Sequence, residues 1–228
     1  DGGQTWSDSQ RLTLSPFFNI SELVKGRPLP LDMEDGGESG FAVPIYHECL
    51  GYFPEILWIA SSEKNREIIY RKSRMAGGNA FIQPSIATVD SKWATAFYRC
   101  RSQAKRIGVA RTQDGGQTWS LPGILALPNP DSAVDALPLS GGRILLAFND
   151  SQNSREILRL AVSSDQGLHW IRIHTLENSP KQEFSYPYMM RGRNGFIHLV
   201  YTWKRKRIKH VVFNEAWVHH QIKRRLRQ

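Results

Sequence analysis

A recurring hexapeptide limits what this 228-residue chain can fold into. Asp1-Gly2-Gly3-Gln4-Thr5-Trp6 returns as Asp114-Gly115-Gly116-Gln117-Thr118-Trp119. A third copy, Ser163 to Trp170, keeps Asp165, Gly167 and Trp170. Asp114 and Asp165 stand 51 residues apart, and Asp1 lies about two such intervals ahead of Asp114. That spacing predicts a degenerate or missing copy between them, after Glu67-Ile68-Ile69-Tyr70. The motif describes a stapled turn: Asp accepts N–H groups across the bend, Gly permits positive φ, and Thr or Ser bonds locally. The Trp is then free to bury its ring between neighbouring sheets. On this reading the Asp and Trp residues hold hairpins and do no chemistry.

A longer correspondence precedes each turn. Gln83–Arg99, Val134–Asp150 and Tyr186–Thr202 share one plan: a short strand, a turn and an apolar strand. The apolar second strands are Trp93–Tyr98, Ile144–Phe148 and Phe196–Tyr201, with Phe41–Tyr46 fitting the same slot. Third strands are expected at Ile68–Tyr70, Ile107–Ala110, Ile157–Val162 and Ile208–Phe213. Short apolar runs, turn signals between them and no long 3.6-residue period predict an all-β chain. Four-stranded meanders repeating about every 50 residues are the signature of a β-propeller. The expected domain spans 1–218, with blades at roughly 22–75, 81–123, 131–177 and 184–218. A basic C-terminal tail is expected at 219–228. Since the chain opens inside a motif and four blades seldom close a ring, it is expected to be a fragment of a longer protein.

The net charge of +9 raises the question of nucleic acid. Residues 204–228 carry +8 of it, and the other 203 residues only +1. A run confined to one blade edge and a tail is a solvated face, which argues against a nucleic-acid partner. No apolar run approaches the roughly 18–20 residues of a membrane-spanning helix. The two cysteines, Cys49 and Cys100, cannot form a disulfide framework, and no His, Cys or carboxylate spacing suggests a metal or other cofactor.

Propeller topology sorts the remaining polar residues. Starts of first strands and the connections from second to third strands share one face. That face collects Gln83, Asp135 and Tyr186, the strand ends Tyr46-His47-Glu48, Tyr98-Arg99, Asn149-Asp150 and Tyr201-Thr202-Trp203, and the loop residues Arg66, Arg101, Arg106, Arg155 and Arg207. Charged groups on loops held by a rigid scaffold mark a candidate site.

With these turns and this residue set, the chain resembles the sialidase (neuraminidase) superfamily, whose hallmark is the repeated Asp-box. It is most similar to the bacterial BNR-repeat "predicted neuraminidase" group. The likeness rests on Pro44–Glu48, Gln83–Ser85, Leu127–Pro130, Phe148–Asp150, Ser185–Pro187 and Arg207–His210, and runs to about Val218. It implies a six-bladed propeller in the full protein, export from the cell, and removal of an acidic sugar from glycoconjugates with retention. Family sialidases hold the substrate carboxylate with three arginines and attack with a Tyr activated by a Glu. By position, Arg99 is similar to the second arginine, Arg155 to the third, and Tyr186 to the nucleophile. The first arginine and the acid Asp would lie ahead of Asp1. The activating Glu has no clean match, and Asp135 is the nearest acid in the right blade. His47, Glu48, Gln83 and Asp150 complete the expected substrate-binding set.

Two alternatives stand beside the hydrolase. A polysaccharide lyase on uronic acids would use His47, beside Tyr46 and Glu48, to take the α-proton, with Tyr186 as partner. A non-catalytic carbohydrate-binding propeller would set Tyr46, Tyr98, Tyr201 and Trp203 against sugar faces.

Overall fold

The computed structural model describes residues 1–6, 8–9, 11–14, 22–32, 39–49, 51–61, 68–90 and 92–227. Its strands form four antiparallel sheets in chain order, packed face against face as propeller blades. The first contains β1 (Glu22–Val24), β2 (Leu29–Asp32), β3 (Ser39–His47), β4 (Phe53–Ser61) and β5 (Ile68–Arg74). β1 and β2 both pair with β3, opposite Ile45–His47 and Ser39–Ala42 respectively. They are therefore one innermost strand interrupted at 25–28. The second blade is β6 (Phe81–Thr88), β7 (Ala94–Cys100), β8 (Arg106–Thr112) and β9 (Gly123–Pro128). The third is β10 (Asp135–Pro138), β11 (Ile144–Asn149), β12 (Ile157–Ser163) and β13 (Ile171–Asn178). The last holds β14 (Phe184–Arg191), β15 (Ile197–Trp203) and β16 (Arg207–Phe213), followed by helix α1 (Glu215–Leu226).

Burial follows position in the blade. Every residue of β11 is buried, because neighbouring blades cover both faces of a second strand, so its sequence runs apolar from Ile144 to Phe148 before the buried Asn149. The edge strands β5 and β16 are mostly exposed. Three apolar clusters fill the gaps between successive blades. One joins Trp58 of the first blade to Tyr98 of the second. Another joins Phe97 of the second to Phe148 of the third. The last joins Leu160 of the third to Tyr201 of the fourth and Val218 of α1. No helix among the described residues is long and apolar enough to cross a membrane.

The Asp turns connect third strands to fourth strands, as expected. Asp114 accepts from Thr112 Oγ1 at 2.7 Å and from Thr118 N–H at 2.9 Å, while Trp119 Nε1 donates to Gly116 O at 3.0 Å. Asp165, Ser163, His169 and Trp170 repeat the pattern. Each turn leans on the blade before it. Trp170 meets Phe97 edge-on at 5.6 Å, and a Cβ on Gly167, at φ +88°, would lie 3.2 Å from Phe97 Cζ. The Asp1 turn repeats the bonds from the Thr5 N–H to the carboxylate and from Trp6 Nε1 to Gly3 O, but Trp6 is 86% exposed.

Two expectations change. Ile68–Tyr70 lies in the fourth strand of its blade, and β4 is the third. The position after Tyr70 therefore leads into the next blade, and the connection at 62–67, where a turn of this kind would fall, is outside the described residues. At the other end, the basic residues expected as a tail form the last turns of α1. Asn214 Oδ1 accepts Trp217 N–H at 2.9 Å, Glu215 stands in the first turn, and Lys223, Arg224 and Arg225 stand in the last. Cap and charges thus agree with the helix dipole. Trp217 and Val218 anchor the helix on the sheet core, with the Trp217 ring 5.1 Å from both His174 and Phe213.

Gly167→Ala should destabilise the protein by about 1–3 kcal/mol, since it forces an alanine into left-handed backbone against Phe97; urea unfolding would measure this. Slight burial raises the Asp165 pKa, but bonds from the His169 N–H, the Ser163 hydroxyl and the His169 ring outweigh it and hold the group at about 2. A depressed carboxylate stabilises the fold fully above its unfolded pKa of about 4 and loses that effect as pH falls towards 2. The difference in urea midpoint between the native protein and Asp165→Asn should therefore shrink across that window.

Candidate functional site

The first strands of the blades meet at the propeller axis, where their contacts converge on Asp135. This carboxylate is fully buried. Its Oδ1 accepts Ser85 Oγ at 2.8 Å, and its Oδ2 accepts Met189 N–H at 2.6 Å. Lys25 Nζ lies 3.7 Å from Oδ1 and donates to Val134 O at 2.5 Å and Pro187 O at 3.2 Å. Arg27 continues the bridge, donating to Met189 O at 2.9 Å and to Ala136 O. One carboxylate thus ties together all four blades. Burial depresses the Lys25 pKa, and the Asp135 charge pulls it back up against the repulsion of Arg27. The oxygens of Asp135, expected as the base, serve Ser85, a backbone amide and Lys25, and Tyr186 is not among these partners.

At the mouth, Gln83 and Tyr186 occupy equivalent slots. Each precedes a proline, has positive φ (56° and 54°) and stands at an irregularity in its strand pairing. A bulge of this kind re-aims the side chain out of the ladder. Gln83 stays buried, donating from Nε2 to Tyr46 Oη at 3.2 Å and accepting from Arg99 Nη1 at 3.5 Å. Tyr186 is 45% exposed. Arg155 Cζ lies 5.9 Å from its ring centre.

Both arginines already carry partners. Arg99 Nε donates to Asp131 Oδ1 at 2.7 Å. Arg155 donates to Glu183 Oε1 at 3.2 Å and to Asp131 O at 2.9 Å. Burial alone would lower the Arg99 pKa, but Asp131 and then Tyr186 raise it, so its charge is secure. Burial raises the Tyr46 pKa, helped by the nearby Glu48 and Tyr186 and opposed by Gln83 and Arg99. The structure therefore brings Tyr186, Arg99, Arg155 and Gln83 together with Tyr46. It adds two groups that the sequence reading leaves out, Asp131 and Glu183. Asp131 follows the Leu127–Pro130 motif at a left-handed turn, and Glu183 begins the run into β14; those neighbours are the only signal either one offers.

Other expected members lie elsewhere or do other work. His47 is 8% exposed, stacks on Phe53 at 4.9 Å and accepts Cys49 N–H on Nδ1 at 3.3 Å, so it closes the β3–β4 connection. Glu48 is half-buried beside it, and its charge acts on Tyr46. Asp150 pairs with Arg159 at 2.6 Å and Arg172 at 2.8 Å across β12 and β13. Tyr98 and Tyr201 are core residues, at 0% and 1% exposure. Arg101 packs over Tyr52 and Arg106 donates to Ala126 O, while Arg66 lies outside the described residues. Among the described residues, no group of three or more His, Cys, Asp or Glu could hold a metal ion.

Stapled Asp turns, four radially packed sheets and a mouth built from first-strand bulges define a propeller of the sialidase fold. The chain belongs to the BNR repeat-like family, whose domain model matches residues 1–199. Solved structures agree on the fold. The NanB sialidase of Streptococcus pneumoniae superposes with a TM-score of 0.68 at 15% identity, over 93% of this chain and 34% of that one. The intramolecular trans-sialidase of Ruminococcus gnavus gives 0.68 at 19% identity, over 94% and 48%. A protein of unknown function from Dyadobacter fermentans gives 0.64 at 16% identity, over 93% and 61%. The chain thus spans only about a third to three fifths of the length of these structures. No curated protein sequence matches it.

Replacing Asp135 with Ala should cost about 3–5 kcal/mol, because it strands the Lys25 ammonium and the Met189 N–H in a buried site. Chemical denaturation would measure the loss, and an unchanged midpoint would remove Asp135 from its axial role.

Proposed function

We propose that this chain carries the nucleophile-and-arginine part of a sialidase-type site that removes an acidic sugar from a glycan with retention. The observation that carries the reading is Tyr186. It is bulged out of β14 by left-handed backbone and partly exposed at the mouth, with the Arg155 guanidinium 5.9 Å from its ring and Arg99 close enough to feel its charge. An anionic nucleophile would be repelled by a substrate carboxylate, whereas a neutral phenol would not. In the proposed reaction Tyr186 Oη bonds to the anomeric carbon as the glycosidic C–O bond breaks. The phenolic proton passes to a base and the leaving oxygen takes a proton from an acid; water then cleaves the glycosyl–tyrosine bond. Glu183, which accepts from Ser185 Oγ at 2.9 Å and pairs with Arg155 and Arg205, is the carboxylate we assign to assist. Each guanidinium has five N–H donors, so Arg99 and Arg155 can hold a substrate carboxylate beside their present partners.

A second reading, a carbohydrate-binding propeller without turnover, draws support from those same partners: Asp131 and Glu183 already neutralise the two arginines. The lyase alternative needs an accessible His47, and the stacking of that ring on Phe53 gives it no support.

A fluorogenic sialoside given to the protein in its natural full length should be hydrolysed, and Tyr186→Phe should lower turnover by about 10³-fold or more. Turnover unchanged in the variant would sink the hydrolase reading. Binding of the sialoside without release by either protein would establish the second.

A further inference from the structure

Beyond Arg155 the mouth continues into a cleft of about 530 Å³ between the loops of the third and fourth blades. That is the size of a small-ligand site. Its cations stand in unusual places. Lys206 N–H bonds to Trp203 O at 3.1 Å, and Lys204 and Arg205 between them both have φ of 55°. This is a type I′ turn, which favours Asn-Gly because both central residues need left-handed backbone. Lys181, across the cleft, is left-handed as well, at φ 62°. A strained choice that the fold does not require is a pointer to function.

The charges do not cancel. Glu183 is shared by Arg155 and Arg205, at 3.2 and 3.4 Å. Glu156 spends its oxygens on the neutral Ser154 hydroxyl and the Lys181 backbone N–H. Among the described residues, neither the Lys181 nor the Lys204 ammonium has a carboxylate within ion-pair distance, and Lys204 Nζ rests 4.4 Å over the Trp203 ring. The result is a cleft with excess positive charge beside an indole face and continuous with the Tyr186 mouth through Arg155.

We infer that this cleft binds a second anionic group, a sulfate or carboxylate, on the sugar next to the one seated at Tyr186. The substrate class is then an acidic oligosaccharide charged on successive residues. The inference rests on the proposed function only for the placement of the first sugar.

The test is calorimetric binding of a sulfated oligosaccharide and of its unsulfated parent, to the natural full-length protein. The sulfated sugar should bind about tenfold tighter or more, as expected for a charge-assisted hydrogen bond. The preference should fall at high salt. Lys181→Gln combined with Lys204→Gln should erase it, whereas Lys92→Gln combined with Lys223→Gln, an equal loss of charge elsewhere, should leave it intact. Lys204→Asn combined with Arg205→Gly should raise the thermal midpoint, by giving the turn its favoured residues, while weakening binding of the sulfated sugar. Equal affinity for the two sugars, a preference that survives loss of the cleft lysines, or the same loss in the control pair would each overturn the inference. Because the readout is binding, Tyr186→Phe should keep the sulfate preference. A sulfate preference in a protein that releases no sialic acid would refute the hydrolase and leave the cleft standing.

Discussion

Burying a carboxylate costs several kcal/mol unless its charge and lone pairs are all engaged, and Asp135 is buried at the point where four sheets converge. Ser85, the Met189 amide and Lys25 engage it, and each belongs to a different blade. The blades otherwise touch through apolar faces, which favour contact without fixing one radial position. A directional set of bonds at the axis supplies that position. It also sets the height of β6 and β14, whose bulges present Gln83 and Tyr186 to the mouth. The chemistry proposed for Tyr186 therefore depends on a carboxylate that takes no part in it.

Away from the axis, the Asp turns perform a repeated task. The Asp114 and Asp165 turns each place a left-handed glycine and a tryptophan against the preceding sheet, where a side chain on the glycine would meet Trp58 or Phe97. The last blade departs from this rule. Where a turn and a fourth strand would follow β16, Asn214 caps a helix whose Trp217 covers the outer part of the third and fourth sheets. The signal was present in the chain, as an Asn-Glu start followed by Trp217, Val218 and Ile222 at helical spacing. The surrounding positive charge hides it, because the same lysines and arginines that suit the end of a helix also suit a solvated tail.

The mouth shows where sequence reasoning loses its hold. Tyr186, Arg99, Arg155 and Gln83 could be grouped because they occupy like slots in like blades, and the structure gathers them. Asp135 occupies a like slot too, yet it turns to the axis. Strand ends in a propeller sit beside both the solvent and the central channel, and a residue at that border is sent one way or the other by a single bulge. Gln83 and Tyr186 have one immediately before a proline; β10 pairs with β11 without interruption. Asp150 and His47 went elsewhere for local reasons, two arginines across β12 and β13 in one case and the Phe53 ring in the other.

The sequence by itself determined the architecture. A stapled turn and an apolar second strand, repeated near 50 residues, are local features whose physics does not depend on what surrounds them, and they admit few folds besides stacked meanders. The tertiary structure decided which polar residues gather at the mouth and which become framework. That choice turns on partners far apart in the chain: Asp131 for Arg99, Glu183 for Arg155, Lys25 for Asp135. Charge pairs act through space, and closing the sheets around an axis is what brings those groups within reach of one another.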